Sequence, residues 1–170
     1  MKNTNIAKFY KISFEQFAKD YQKLIGNTNL DEIKNIYEGI ALPKRATKAS
    51  AGYDFVSTFG FTLKPNETIK IPTGIRTKME SDYVLCIFPR SSLGFKYQMC
   101  LANTVGIIDA DYYEADNEGH IIIALVNRGD KDLTINLYDR FVQGIFFAYF
   151  TADEEEVLES RTGGFGSSGK

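Results

Sequence analysis

Two periodicities divide the chain. Residues 13–25, SFEQFAKDYQKLI, set Phe14, Phe17, Ala18, Tyr21, Leu24 and Ile25 at helical spacing, and Ser13 followed by Gln16 has the pattern of a capping box. An amphipathic helix is predicted there. Asn29 and Glu32 signal a second start, and Leu30, Ile33, Ile36 and Tyr37 carry the stripe on until Gly39 interrupts it. Both helices are expected to pack on a core or on a partner subunit rather than to carry chemistry. From Ile40 onward the pattern changes to short extended runs broken by Gly, Pro, Asn and Asp. Strands are predicted over 53–58, 68–71, 75–79, 83–88, 120–126, 133–137 and 141–150. The last, FVQGIFFAYF, is apolar on both faces, which places it in the centre of the core or at a subunit contact.

This spacing predicts an all-β fold, a jelly-roll-like barrel or sandwich over residues 40–152. An N-terminal helical extension, 1–39, precedes it. Residues 153–170 follow as an acidic connector and a Gly-rich C-terminal arm with no fixed shape of its own. With 170 residues, 44% hydrophobic and 25% charged, the chain reads as one globular domain. A net charge of −2 gives no long-range pull on nucleic acid or an anionic membrane, so neither is expected as a partner, and an anionic ligand requires a local cluster of cations. The N-terminus lacks a signal peptide's apolar core and no apolar run reaches the roughly 18 residues of a membrane span, so a cytoplasmic location is expected. Cys86 and Cys100 lie far apart in apolar runs and read as buried free thiols. His120 is the only histidine, which argues against a Ser/His or Cys/His nucleophile and leaves proton transfer to carboxylates.

Five segments suit chemistry. In NTVGIIDADYY, residues 103–113, the apolar run ending at Ile108 delivers Asp109 and Asp111, followed by two aromatic rings; the plain alternative is the start of a hairpin. Asn103 offers both a donor and an acceptor, suited to the edge of a pyrimidine. In KRATKASAGYDF, residues 44–55, Asp54 follows small residues and Gly52 and, taken alone, reads as a strand-start turn former. In PRSSLGFK, residues 89–96, Arg90, Ser91 and Ser92 in a turn offer a guanidinium fork, two hydroxyls and backbone N–H groups to a phosphate, a pattern also found on ordinary loops. In DRFVQG, residues 139–144, Arg140 and Gln143 alternate with core residues and face either a polyphosphate or solvent. In RTGGFGSSG, residues 161–169, glycines let the backbone approach phosphate oxygens, with Arg161 for charge, Ser167 and Ser168 as donors and Phe165 to stack on a base; a flexible linker is the alternative.

In this order AGYDF, PRSSLG, NTVGIIDADYY, DRFVQ and RTGGFGSSG, with IPTGIR at 71–76, resemble the five motifs of the trimeric deoxyuridine triphosphatases, over roughly residues 40–170. The resemblance implies hydrolysis of dUTP to dUMP and pyrophosphate, which keeps uracil out of DNA and supplies dUMP for thymidylate synthesis, on a homotrimer with magnesium. By resemblance, Asp109 is the general base. Asn103, Gly106, Ile107, Ile108 and Ile122 line the uracil pocket, and Tyr112 packs on the deoxyribose. Arg90, Ser91, Ser92 and Gln143 contact the triphosphate. Asp54 reaches the Mg²⁺ through water, with no direct protein ligand. Arg161, Ser167 and Ser168 hold the outer phosphates, and Phe165 covers the base. The chain departs from the family after Tyr112, where Glu114 to Asn117 are inserted and Gly119 takes the place of an earlier glycine. Two alternatives stand beside this reading: a dCTP deaminase-like enzyme, and a regulatory member of the fold that binds another protein through the inserted hairpin or the N-terminal helices.

Overall fold

The computed structural model describes residues 5–152; Arg161, Phe165, Ser167 and Ser168 lie outside the described residues. The first element is extended. β1 (Ala7–Lys11) buries Phe9 and pairs antiparallel with β6 (Ile75–Met79), so the N-terminal stretch, expected to be helical, adds a strand to the β body.

α1 (Phe14–Ile25) and α2 (Leu30–Gly39) stand where their stripes placed them. α1 buries Phe17, Ala18 and Tyr21, and burial of Phe17 alone contributes about 1.5–3 kcal/mol. The side chain of Asn29 caps α2 by accepting from the N–H groups of Asp31 and Glu32. Ser13 Oγ caps α1 by accepting from Gln16 N–H at 3.1 Å. Gln16 does not close the expected capping box, because its amide donates to Asp20 instead. Glu118, from the far end of the chain, takes that role: it accepts from Ser13 N–H at 2.8 Å and from Ser13 Oγ–H at 2.6 Å.

The remaining strands are β2 (Lys44–Arg45), β3 (Tyr53–Val56), β4 (Phe61–Leu63), β5 (Thr68–Pro72), β7 (Tyr83–Pro89), β8 (Met99–Leu101), β9 (Gly106–Ile108), β10 (Ile122–Asn127), β11 (Leu133–Ile135) and β12 (Arg140–Ala148). They build a five-stranded sheet in the order β2-β3-β12-β7-β9, a three-stranded sheet β5-β10-β8, and the pairs β1-β6 and β11-β4. All the pairings are antiparallel. β1, β2, β4 and β8 escape the sequence pattern because runs of two to five residues carry too few alternations to register. PRSSLGFK, expected as a turn, forms the helix α3 (Ser91–Tyr97), which ends at Gln98 in the left-handed region.

β12 is central for its first half. Phe141 and Val142 are fully buried, and at Gly144 a Cβ would come within 2.8 Å of Leu85 and 3.1 Å of Phe55, so the strand lies too close to the layer below for a side chain. Its second half turns outward: Phe147, Tyr149 and Phe150 are exposed, although the sequence pattern placed the whole run inside.

The Glu118 contact makes stability depend on pH. Burial opposes the charge of Glu118, but the hydrogen bonds from Ser13 and the nearby charge of Arg76 outweigh it and hold the carboxyl below its ordinary 4.5. A carboxyl more acidic in the folded chain stabilises fully above its unfolded value and loses that contribution as pH falls through the folded one. Glu118→Gln is therefore expected to lower the urea midpoint at neutral pH, with the gap to wild type closing as pH falls from 4.5 through the lowered folded value. A gap of constant size across that range would show that the charge plays no part.

Candidate active site

Strand β9 of the five-stranded sheet leads through a turn into β10 of the three-stranded sheet. Gly106 lies beneath Ile87, where a Cβ would sit 3.1 Å from the isoleucine side chain, and the extended backbone then alternates Gly106 and Ile108 inward with Ile107 outward. The returning strand β10 brings Ile122 alongside. Together with Asn103 these residues line a cavity of about 500 Å³, the size of a small-molecule site. Ile107, expected to join them, is 53% exposed and opposite Cys86 on the other face of the sheet, and it does not line the cavity. A third wall was not anticipated: Asp20, Lys23 and Leu24 of α1 line the same space, with Lys70 of β5. No motif signals this, since the helical stripe announces only burial.

Asp109 is the first residue beyond β9. It is exposed and occupies the cap position of a short 3₁₀ turn, Ala110–Glu114. Burial and then the charge of Asp109 push the Cys86 thiol upward. Cys86 and Cys100 are free but only half-buried, not fully buried as their apolar surroundings suggested. Tyr112 is buried; its hydroxyl donates to His120 O at 2.8 Å and accepts from Asn117 Nδ2 at 2.8 Å. Gly119 returns the chain over this tyrosine at φ 68, and a Cβ there would lie 2.6 Å from Tyr112 O. Residues 114–117 thus fold back on Tyr112 and lead straight into Glu118 and His120.

A second cluster forms at the other side of the sheet. Asp54 on β3 is opposite Gln143 on β12, and its nearly buried carboxylate pairs with Arg90 at 3.1 Å and with Arg140 at 3.1 Å. Arg90 leads into α3, whose first turn presents Ser91 and Ser92 to solvent. Gln143 Nε2 donates to Pro89 O, tying β12 to the start of that helix. Two guanidinium groups, two hydroxyls and an amide converge here, a set of donors fit for a polyanion. Arg140 belongs to this set with the same standing as Arg90, although its alternation with core residues left its role open.

The structure brings Asn103, Gly106, Ile108 and Ile122 together, and separately Asp54, Arg90, Ser91, Ser92 and Gln143. It does not join the two groups within one chain. In register, Asp54 opposes Gln143, Gln143 opposes Phe88, and the neighbouring Ile87 opposes Gly106. Three inter-strand steps separate Asp54 from Gly106, roughly 14 Å at the usual spacing.

Among the described residues no three His, Cys, Asp or Glu side chains gather as a metal cage. Asp54 has one carboxylate oxygen on each arginine. Such donors suit a cation that arrives on phosphate oxygens, not one caged by the protein.

The model of the dUTPase family matches residues 38–169. The chain belongs to the dUTPase family. It is 43% identical over 134 residues to the deoxyuridine 5'-triphosphate nucleotidohydrolase of Lactococcus lactis, covering 77% of this chain and 89% of that one. Its counterpart in Paraburkholderia phytofirmans is 37% identical over 137 residues, covering 76% and 89%. Among solved structures, the dUTPase of Streptococcus mutans matches with a TM-score of 0.59 and 38% identity, over 66% of this chain and 88% of that one. The dUTPase of phage phi11 of S. aureus, at 20% identity, shares the fold with a TM-score of 0.64 over 91% and 98%. The chain therefore has the jelly-roll-like dUTPase fold and is an enzyme of that family. α1 precedes the family match, although it lines the cavity.

The paired arginines depend on Asp54. Asp54→Ala would leave two guanidinium groups facing each other, one of them half-exposed, and is expected to lower unfolding free energy by about 1–2 kcal/mol in urea titration. Unchanged stability would mean that water serves the arginines as well as the carboxylate does.

Proposed function

We propose that this chain hydrolyses dUTP to dUMP and pyrophosphate, with Asp109 as the general base. The observation that carries the reading is the position of Asp109: an exposed carboxylate on the residue directly after Ile108, which lines the small-molecule cavity. A base held in that cavity leaves its sugar and α-phosphate at the rim, within reach of this carboxylate. The carboxylate takes a proton from water, the water oxygen bonds to the α-phosphorus, and the bond from that phosphorus to the bridging oxygen breaks to release pyrophosphate. A positioned base contributes about 10²–10⁴ in rate, and orientation of the triphosphate contributes the remainder. Arg90, Ser91, Ser92 and Gln143 hold the phosphates, with Arg140 beside them. Magnesium, bound to the triphosphate and reached by Asp54 through water, would neutralise phosphate charge. Asn103, Gly106, Ile108 and Ile122 hold the uracil, and Tyr112 underlies the sugar. From the tail, by family resemblance, Arg161, Ser167 and Ser168 take the outer phosphates and Phe165 covers the base.

The roughly 14 Å between Asp54 and the Gly106 side of the pocket supports a site completed by other subunits of a homotrimer. The exposed Ile107, Phe147 and Phe150 on the outer face supply apolar surface for such contacts. Residues 40–152 form the catalytic β domain, 1–39 an extension closing one side of the pocket, and 153–170 a connector and arm. Among the described residues no helix is long and apolar enough to cross a membrane, and we place the reaction in the cytoplasm. The surfaces that a regulatory reading needs for a partner, the inserted hairpin and α1, are partly spent on each other through Ser13 and Glu118.

Turnover of dUTP beside dTTP, dCTP and UTP, with and without Mg²⁺, tests the assignment; preference for another nucleotide defeats it. Asp109→Asn is expected to cut kcat by about 10²-fold or more while dUTP still binds, because only the proton acceptor is lost. Wild-type turnover in that variant would remove Asp109 from the mechanism. Sharing of the site is tested by mixing Asp109→Asn with a chain lacking 161–170. Each is nearly inactive alone, and co-refolding equal amounts should restore about a quarter of the sites if base and tail come from different chains. Activity no greater than that of the parents would place both in one chain.

A further inference from the structure

The chain's only histidine is fully buried and held at both ring nitrogens. His120 Nε2 accepts the Gly74 N–H at 2.9 Å, and Nδ1 lies 2.6 Å from Asp20 Oδ2. A backbone N–H can only donate, so Nε2 must present its lone pair; Nδ1 then carries the proton and donates it to the carboxylate. The imidazole in its neutral Nδ1–H form satisfies both contacts, whereas an Nε2–H form would set two donors against each other. A ring occupied in this way cannot serve a nucleophile as base. What it can do is hold a backbone. The carbonyl of the same residue accepts the Tyr112 hydroxyl at 2.8 Å, and two residues on Ile122 lines the cavity. Ile121 between them is fixed in turn by Thr73 Oγ1, which donates to its carbonyl at 2.6 Å. Asp20 comes from α1, outside the family match, and Gln16 one turn earlier braces it at 2.9 Å.

We propose that Asp20 is a positioning residue for substrate selection, acting through the His120 ring on the Tyr112 hydroxyl and the Ile122 edge of the pocket. The proposal rests on the reading of this pocket as the nucleoside site. α1 is then not an appendage of the enzyme but a wall of its site. The carboxylate locks the imidazole, the locked imidazole fixes its own carbonyl, and that carbonyl sets the height and tilt of the ring beneath the sugar. The Asp109 backbone meets Tyr112 at its N–H, at 3.2 Å, whereas the contacts that run from Asp20 end at the Tyr112 hydroxyl. Loss of Asp20 should therefore show in binding and in choice between sugars, and leave the chemical step nearly intact.

The test uses the full chain. Asp20→Leu removes the acceptor with little change in size, and Asp20→Asn keeps an oxygen that can accept from Nδ1–H. Should Asp20→Leu fail to fold, Asp20→Ser, too short to reach the ring, takes its place. Asp20→Leu is expected to raise KM for dUTP about tenfold and to reduce the preference for dUTP over UTP by a similar factor, with kcat nearly unchanged. Asp20→Asn should restore most of both. Equal loss of turnover on dUTP and UTP with no change in their ratio would mean a merely structural role and overturns the proposal. Wild-type values in Asp20→Leu overturn it as well, as does an Asp20→Asn variant no better than Asp20→Leu. With a single histidine, the imidazole ¹⁵N spectrum reads the other half directly. Wild type and Asp20→Asn should show the Nδ1–H tautomer, and Asp20→Leu a mixture. If wild type leaves dUTP intact, the functional reading fails, and the proposal is then decided by that spectrum and by whether Asp20→Leu moves the Tyr112 ring signals, identified with Tyr112→Phe. An unmoved tautomer and unmoved ring signals would sink it.

Discussion

Strand β12 is paired along both edges, and the geometry of the site follows from that pairing. Its register with β3 places Asp54 opposite Gln143, and its register with β7 sets Pro89, the residue before Arg90, opposite Val142. Close approach is possible only because Gly144 offers no side chain to Leu85 and Phe55. A slip of one residue would turn every side chain of the strand to the opposite face and separate the carboxylate from its arginines. The sheet is thus a ruler: it holds the cation cluster together and keeps Asp54 three strands from Gly106 of the pocket.

Electrostatics then act locally, as a chain with almost no net charge requires. Asp54 lies between two arginines that would otherwise repel each other, and this keeps two guanidinium groups adjacent at the sheet surface. An anion arriving there exchanges water for donors already in place, so little reorganisation remains to be done at binding.

The N-terminal helices and the inserted hairpin are two departures from a plain β domain, and they meet. Glu118 caps α1, His120 binds Asp20, and Asn117 reaches the Tyr112 hydroxyl. Ordering the segment between β9 and β10 costs backbone entropy, which these contacts offset by giving its polar groups complementary partners on a helix. Their shared position beside the cavity is why features far apart in the chain bear on one pocket.

Local pattern was enough for much of this. The stripes at 13–25 and 29–39, the strands from residue 53 onward and the ordered motifs could be read directly, because helical and strand periods and turn chemistry are properties of neighbouring residues. The motifs also named Asp54, Arg90, Asn103, Asp109 and Tyr112. What sequence could not supply was partnership across distance. Ser13 and Gln16 satisfy the spacing of a capping box, yet a glutamate 105 residues away, not Gln16, accepts the Ser13 N–H. PRSSLG reads as a turn but becomes helical once Arg90 is fixed between Asp54 and the backbone of β12. Ile107 falls in the middle of a pocket motif while its side chain points the other way, since face is decided by strand pairing. His120 looked like an isolated histidine, and its role rests on a carboxylate 100 residues earlier. Such contacts join residues through space after the chain has folded, and no local period records them.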